Sequence, residues 1–377
     1  MNSTEKYQKM LIGPIKRFNQ RNDVFRRTDY DPEPMKWKER FRDRAGKPDK
    51  PGYSQMDYAL SDASWYLEDH FAMGNSGANL AGLYAWEPAE PSVEKKPKVV
   101  LSPEEATKRV KKVAKFFGAA LVGVCELNSL WLYSQVVNDF TGEIRELELA
   151  DNYRYAIVMA IEMDYNLIKT SPTGGSSAAT GLGYSKMAFT AGLLAKFIRG
   201  LGYEAIPSGN DTALSIPLAV EAGLGELGRN GILITDKFGP RVRLCKVFTN
   251  LPLIPDTPRF FGVERFCALC KKCAQFCPSK AITTGEQSAK AITVSNNSGV
   301  KKWMINPEKC YRFWAANRTD CANCIRVCPF NQKRGWHHSI ARYFIKNVPI
   351  LNPLFLWLHS VLRYDQQASP SEVRGSQ

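Results

Sequence analysis

The chain has 377 residues, 44% of them hydrophobic, and a formal net charge of +14. It is long enough for more than one domain, and no apolar run reaches the length of a membrane span; the best, Pro349–Leu362, is short and carries Asn352 and His359. The positive excess sits at the ends: residues 1–50 hold 14 Lys and Arg against 8 Asp and Glu, residues 301–377 hold 12 against 4, and the middle is neutral. Such ends read first as solvated surface, and they also suit anionic lipid or an acidic redox partner; nucleic acid is not expected as a partner.

Residues 1–95 are rich in aromatic, proline and charged residues with little periodicity, which predicts an N-terminal extension packing on the core. Ser92–Lys98 reads as a linker. No signal peptide is visible, because neither Lys16-Arg17 nor Arg26-Arg27 is followed by an apolar stretch. Ser102 with Glu105 then makes a capping box. Ala106, Val110, Val113 and Phe117 form the apolar stripe of a helix over Pro103–Phe117. Ala119–Leu127 and Arg154–Met163 read as strands, the second apolar on both faces and hence central. A long helix over Gly183–Leu201 precedes short strands at Glu204–Ile206, Gly231–Thr235 and Val242–Thr249. The alternation predicts an α/β core over 96–255.

Within that core Gly223, Gly225 and Gly228 match G-x-G-x-x-G. They follow a helical stretch rather than a strand, and no acidic residue closes the pattern, so a dinucleotide fold is rejected. Glycines there let the backbone approach a large planar cofactor or a neighbouring element. Cys125 and Cys245 sit in apolar, strand-like stretches and read as buried structural thiols.

The other eight cysteines carry the strongest signal. Cys267, Cys270, Cys273 and Cys277, followed by Pro278, read C-x2-C-x2-C-x3-C-P; Cys310, Cys321, Cys324 and Cys328, followed by Pro329, end the same way. This is the pattern of a bacterial two-cluster ferredoxin, in which the cysteine before proline reaches the other cluster. It predicts one 4Fe–4S cluster on Cys267, Cys270, Cys273 and Cys328 and a second on Cys277, Cys310, Cys321 and Cys324. Zinc needs neither the third close cysteine nor the proline, and disulfides do not suit a long chain without a secretory signal. The cysteine domain spans about 256–335, and a basic tail, 336–377, follows, polar and disordered from Gln366.

Further motifs precede the cysteines in order: Gly183-Tyr184-Ser185-Lys186-Met187-Ala188, Ser208-Gly209-Asn210-Asp211, the glycine segment from Glu221 to Gly231, Gly239 to Leu244, and Lys246 to Pro252. With the two cysteine runs, this series resembles the reductive dehalogenases, cobamide-dependent enzymes of organohalide respiration, over about residues 100–335. The resemblance implies an α/β (α+β) corrinoid-binding core of the nitroreductase-like type with a ferredoxin-like two-cluster domain behind it. It implies a base-off cobamide, its cobalt next to the nearer cluster and without a histidine ligand. His70 lies in a stretch that misses D-x-H-x-x-G and reads as a packed or surface histidine.

By the same resemblance Tyr184 is the proton donor. Arg243 stabilises phenolate or halide charge, and Asn210 hydrogen-bonds the halogen or the tyrosine. Ser208, Gly223, Gly225 and Gly228 fall at the cofactor, and Thr180 and Trp314 are candidates for an apolar substrate pocket. The implied partners are a small organohalide and an electron-donor protein or membrane-anchor subunit, with a homodimer compatible. The implied location is the extracytoplasmic face of the cell membrane after processing; the missing twin-arginine signal keeps the cytoplasm as the alternative. One rival is an epoxyqueuosine reductase acting on tRNA, but the tryptophan of its glycine segment and its helical-repeat C-terminus are missing here. The other is an electron carrier, which leaves the α/β core unexplained.

Overall fold

The computed structural model describes residues 3–43, 45–69, 97–137, 143–333 and 335–370. His70, most of the Ser92–Lys98 linker and residues 371–377 lie outside these. The helices that position the site are, in chain order, α1 (Pro32–Arg42), α2 (Gln55–Leu67), α3 (Pro103–Phe116), α4 (Gly174–Gly200), α5 (Ser215–Glu221), α6 (Val263–Cys270), α7 (Pro307–Asn317), α8 (Trp336–Asn347) and α9 (Asn352–Val361).

One four-stranded sheet forms the core: β1 (Leu121–Glu126), β2 (Tyr155–Glu162), β3 (Ala205–Ser208) and β4 (Val242–Thr249), ordered β1-β2-β4-β3. Every pairing is antiparallel, so the core takes the α+β form. β2 is central, as its two-sided apolar run predicts, with Ala156–Ile161 buried. One face of the sheet packs on Val110 and Ala114 of α3 and Met187, Leu194 and Ile198 of α4. The other packs on Trp131 and on Leu218, Ala219 and Val220 of α5. The segment expected as a strand at 231–235 is shorter, Leu233–Ile234, and pairs with Glu226–Leu227 in a separate ribbon.

Ser102 caps α3 by accepting from the Glu105 amide at 3.2 Å. The Glu105 carboxylate turns to Arg109, one helical turn on, instead of back to the cap. The larger departure is α4, which begins nine residues before the expected start at Gly183. Its first turns, GGSSAAT, hold five poor helix formers and two Ala and are nonetheless helical because small residues are required there. A Cβ on Gly174 would stand 2.9 Å from Asp57 Cβ, and one on Gly181 2.4 Å from the Trp65 ring. The resulting α2–α4 contact is the most extensive between any two elements. Burial against α2 thus outweighs propensity.

The N-terminal extension reaches beyond the core. Helix α1 packs on α7 of the cysteine region, Arg27 bonds Glu308, and Leu11 bridges Val300. The C-terminal segment doubles back: Lys272 bonds Asp365, Arg326 donates to the Asp365 carbonyl at 2.8 Å, and Ala368 N–H donates to Lys169 O at 3.0 Å. The expectation of disorder from Gln366 therefore fails for Gln367 and Ala368, which are tied to Thr170 and Lys169. A polar composition does not preclude order where backbone partners are at hand.

Candidate active site

Tyr184 lies midway along α4, and three side chains from separate elements converge on it. Asn210, in the loop after β3, donates from Nδ2 to the Tyr184 hydroxyl at 2.8 Å. The Arg243 guanidinium, from β4, lies 5.0 Å from the ring centroid. Trp65, from α2, stacks on the ring with centroids 4.9 Å apart at 23°. Gly183 makes room for Arg243, since a Cβ there would stand 2.9 Å from Arg243 Cγ. Thr180, one turn earlier, accepts from Arg243 at 3.2 Å. It also bonds the buried Asp320, whose carboxyl is raised by burial against the opposing pull of Arg243. Asp320 immediately precedes Cys321, so Arg243 spans from the tyrosine to a cysteine loop. Its charge also acts on Cys324.

The Asn210 loop is held from beneath by a residue that sequence reading passed over. Lys246, on β4, is fully buried. Its ammonium donates to the carbonyls of Gly209, of Asp211 at 3.2 Å and of Ala213 at 3.0 Å, and to Ser215 Oγ at 3.0 Å. Burial pushes it down to about 8 while Asp211 pulls the other way. Tyr133 Oη donates to the Asn210 carbonyl at 3.0 Å. Ser208 is turned inward, its hydroxyl donating to Asp211 O at 2.9 Å. It closes this loop instead of reaching a cofactor.

Of the two readings of the three glycines, a planar cofactor or a neighbouring element, the second has contacts in the structure. A Cβ on Gly223 (φ +70) would stand 2.6 Å from Thr257 O, one on Gly225 2.2 Å from Ile234 O, and one on Gly228 2.6 Å from Asn230 Oδ1. The need for glycine comes from packing of the chain against itself. What this turn delivers is Arg229 and Asn230. Arg229 donates to Cys267 O at 3.0 Å and to Thr283 O and Gly285 O at 2.9 Å, and Asn230 to Cys324 O at 3.4 Å. The glycine segment thus ties the core to both cysteine loops.

Trp314 also departs from expectation. Four residues after Cys310 on α7, it shares that cysteine's side of the helix, and its ring packs on Phe25 and Tyr311. Trp65 takes the aromatic place beside Tyr184.

The eight thiols gather in one region, where Cys324 also acts on Cys273. Cys267, Cys270, Cys273 and Cys328 line one cavity with Phe266, Phe330 and Arg229. Cys277, Cys310, Cys321 and Cys324 act electrostatically on one another. All eight are free. Burial pushes Cys267 and Cys321 up to about 12 and Cys270 and Cys324 up to about 11. Sulfurs so placed become thiolates only by exchanging protons for iron, and these buried and half-buried cysteines fit two 4Fe–4S clusters. Cys125 and Cys245 lie in the core away from both sets. The corrinoid also fits. Beside Tyr184, Arg243 Nε and, at the end of α2, Glu68 Oε2 are buried without a hydrogen-bond partner, and a macrocycle rimmed with amides can satisfy both.

Two measurements check this geometry. Cys273→Ser is expected to cost about four of eight iron per chain, and Cys245→Ser none; iron loss in the latter would dissolve the assignment. Lys246→Met removes a charge-assisted donor typically worth ~1.5 kcal/mol or more, so amide exchange over 208–215 should rise about tenfold or more with iron retained. Unchanged exchange would mean that the loop holds itself.

The family of 4Fe–4S double cluster binding domains matches residues 266–331. The chain is 36% identical over 387 aligned positions to the tetrachloroethene reductive dehalogenase of Dehalobacter restrictus (strain DSM 9455 / PER-K23), covering 85% of this chain and 70% of that protein. It is 36% identical over 355 positions, with the same coverage, to that of Sulfurospirillum multivorans. Among solved structures, the catabolic reductive dehalogenase NpRdhA with 3-bromo-4-hydroxybenzoic acid superposes with a TM-score of 0.72 at 23% identity, over 95% of this chain and 48% of that one. The chain thus spans about half the length of the solved chains it matches. Similarity to the epoxyqueuosine reductase of Bacillus anthracis, 35% over 118 residues, reaches only 31% of this chain and 29% of that protein. With two cluster cages behind a tyrosine–asparagine–arginine site, and a relative matched over more than two thirds of its length, the chain belongs to the reductive dehalogenases, oxidoreductases that use iron–sulfur clusters and a corrinoid.

Proposed function

We propose that this chain replaces a halogen of a small organic molecule by hydrogen, with Tyr184 as proton donor. The observation that carries this reading is the convergence of Asn210 and Arg243 on Tyr184 beside the Cys324 loop. The net change consumes an organohalide, two electrons and one proton, and yields the C–H product and halide. When bound, the corrinoid supplies a low-valent cobalt able to attack the carbon–halogen bond, fed by the clusters one electron at a time.

The chain's own residues manage the proton and the charge. Because the Tyr184 oxygen accepts from Asn210, its own O–H is free to turn to the reacting carbon. Arg243, over the ring face, stabilises the phenolate left behind and the departing halide. Trp65 covers a face of the ring and excludes water. The names of the relatives support chlorinated alkenes as the first substrates to try.

The partners and location are also our reading. The reach of Arg243 to Asp320 and Cys324 supports the second cage as the one nearer Tyr184 and the Cys267 cage as the electron entry. Helix α9 packs on α6 there, and Leu269, Ile350, Leu354, Trp357 and Leu362 are exposed around it. Arg342, Lys346 and Arg363 add positive charge. No helix among the described residues is long and apolar enough to cross a membrane. This apolar, basic face supports docking of an electron-donor protein or membrane-anchor subunit at an anionic membrane surface. The extracytoplasmic side and a homodimer rest on family resemblance alone.

Tyr184→Phe is expected to lower turnover of tetrachloroethene by reduced viologen on the order of 10²–10⁴-fold, with iron and cobalt content unchanged; wild-type turnover would remove Tyr184 from the chemistry. Trp357→Glu should reduce co-sedimentation with phosphatidylglycerol vesicles severalfold. Equal sedimentation of the two proteins would take α9 out of the membrane contact.

A further inference from the structure

Arg229 is buried to 2% exposure, and among the described residues every hydrogen bond it makes goes to a carbonyl: Cys267, Ala268, Thr283 and Gly285. Among the described residues no carboxylate pairs with it. Its flat face lies over the Trp303 ring, 4.5 Å from the centroid. It lines the cavity of Cys267, Cys270, Cys273 and Cys328, and its charge acts on the first three. A buried guanidinium without a counter-ion is costly, and carbonyl dipoles alone do not neutralise it. Other charges stand around this cage, and Lys271 lines the cavity as well. Lys272 bonds Asp365, and Glu226 accepts from the amides of Phe261 and Val263 while facing Lys6.

We propose that the counter-charge of Arg229 is the iron–sulfur cluster itself, and that Arg229 holds the reduction potential of the Cys267 cluster above that set by its four thiolates. Taking up one electron from a one-electron donor turns the doubly negative cluster and its ligands triply negative, with no proton required. A fixed cation in a low-dielectric site favours the more negative state. The electron-entry cluster is thereby made the easier one to fill, and Arg229 acts as a positioning charge for the electron, not as a ligand.

The test is a potentiometric titration of the anaerobically purified protein followed by electron paramagnetic resonance, the Cys267 cluster being identified by the signal that Cys270→Ser removes. Arg229→Gln, which keeps some hydrogen bonding to the carbonyls, should shift that cluster to a more negative potential and leave the other in place. Arg229→Lys, which keeps the charge and loses the planar fork, should stay near wild type. Thr283→Asp, which adds a carboxylate where Arg229 already binds the backbone, should shift the potential negative with Arg229 intact; it decides the matter if Arg229→Gln fails to hold iron. An unmoved potential in an iron-replete Arg229→Gln protein overturns the proposal. So does a shift in Arg229→Lys as large as that in Arg229→Gln, which would assign the effect to hydrogen bonding.

Discussion

Read from the spacing, each cluster takes three sulfurs from one cysteine run and the fourth from the other, so that neither loop closes without its partner. Cys328 must stand with Cys267, Cys270 and Cys273, and Cys277 with Cys310, Cys321 and Cys324. This exchange welds residues 267–277 to 310–328 and fixes where everything attached to them can go. The core grips the weld from one side with Arg229 and Asn230. The N-terminal extension packs on it through α1 and Arg27. The C-terminal segment returns to it through Asp365, which meets Lys272 from one loop and Arg326 from the other. The described parts of the two basic segments thus both pack against the cysteine region.

The tyrosine site is arranged around the same weld. Arg243 reaches from the Tyr184 ring to Thr180, and Thr180 bonds Asp320, the neighbour of Cys321. Tyr184 and the Cys321 loop are therefore joined by one chain of contacts. Their relative position follows from β4 and α4, two elements locked into the core. Rigid elements suit a reaction in which a misplaced donor is costly. The Asn210 loop is the one irregular piece, and Lys246 stiffens it by gathering three of its carbonyls.

Glycine serves two purposes that look alike in sequence. At Gly174 and Gly181 it lets two helices approach, and at Gly223 and Gly225 it lets one stretch of backbone approach another. Neither purpose needs a bound cofactor, and a pattern of glycines does not distinguish them from one that does. Three of the partners, Asp57, Trp65 and Thr257, are distant in sequence, and the fourth, Ile234, lies across a short ribbon from Gly225.

By itself the sequence marked the two-cluster cysteine domain, because the spacing of thiols on tight loops is local geometry. It determined the central strand β2, whose apolar residues alternate with nothing, and the buried character of Cys125 and Cys245. Motif resemblance placed Tyr184, Asn210 and Arg243 together. The tertiary structure alone decided the first half of α4, where small residues become helical only because α2 covers them. It decided that Trp65 and not Trp314 accompanies the tyrosine, since which aromatic side chain meets Tyr184 depends on how α2 crosses α4. Lys246 and Arg229 were illegible for the same reason: a buried cation looks like any surface lysine or arginine until the carbonyls that surround it, from loops far apart in the chain, are brought to one point.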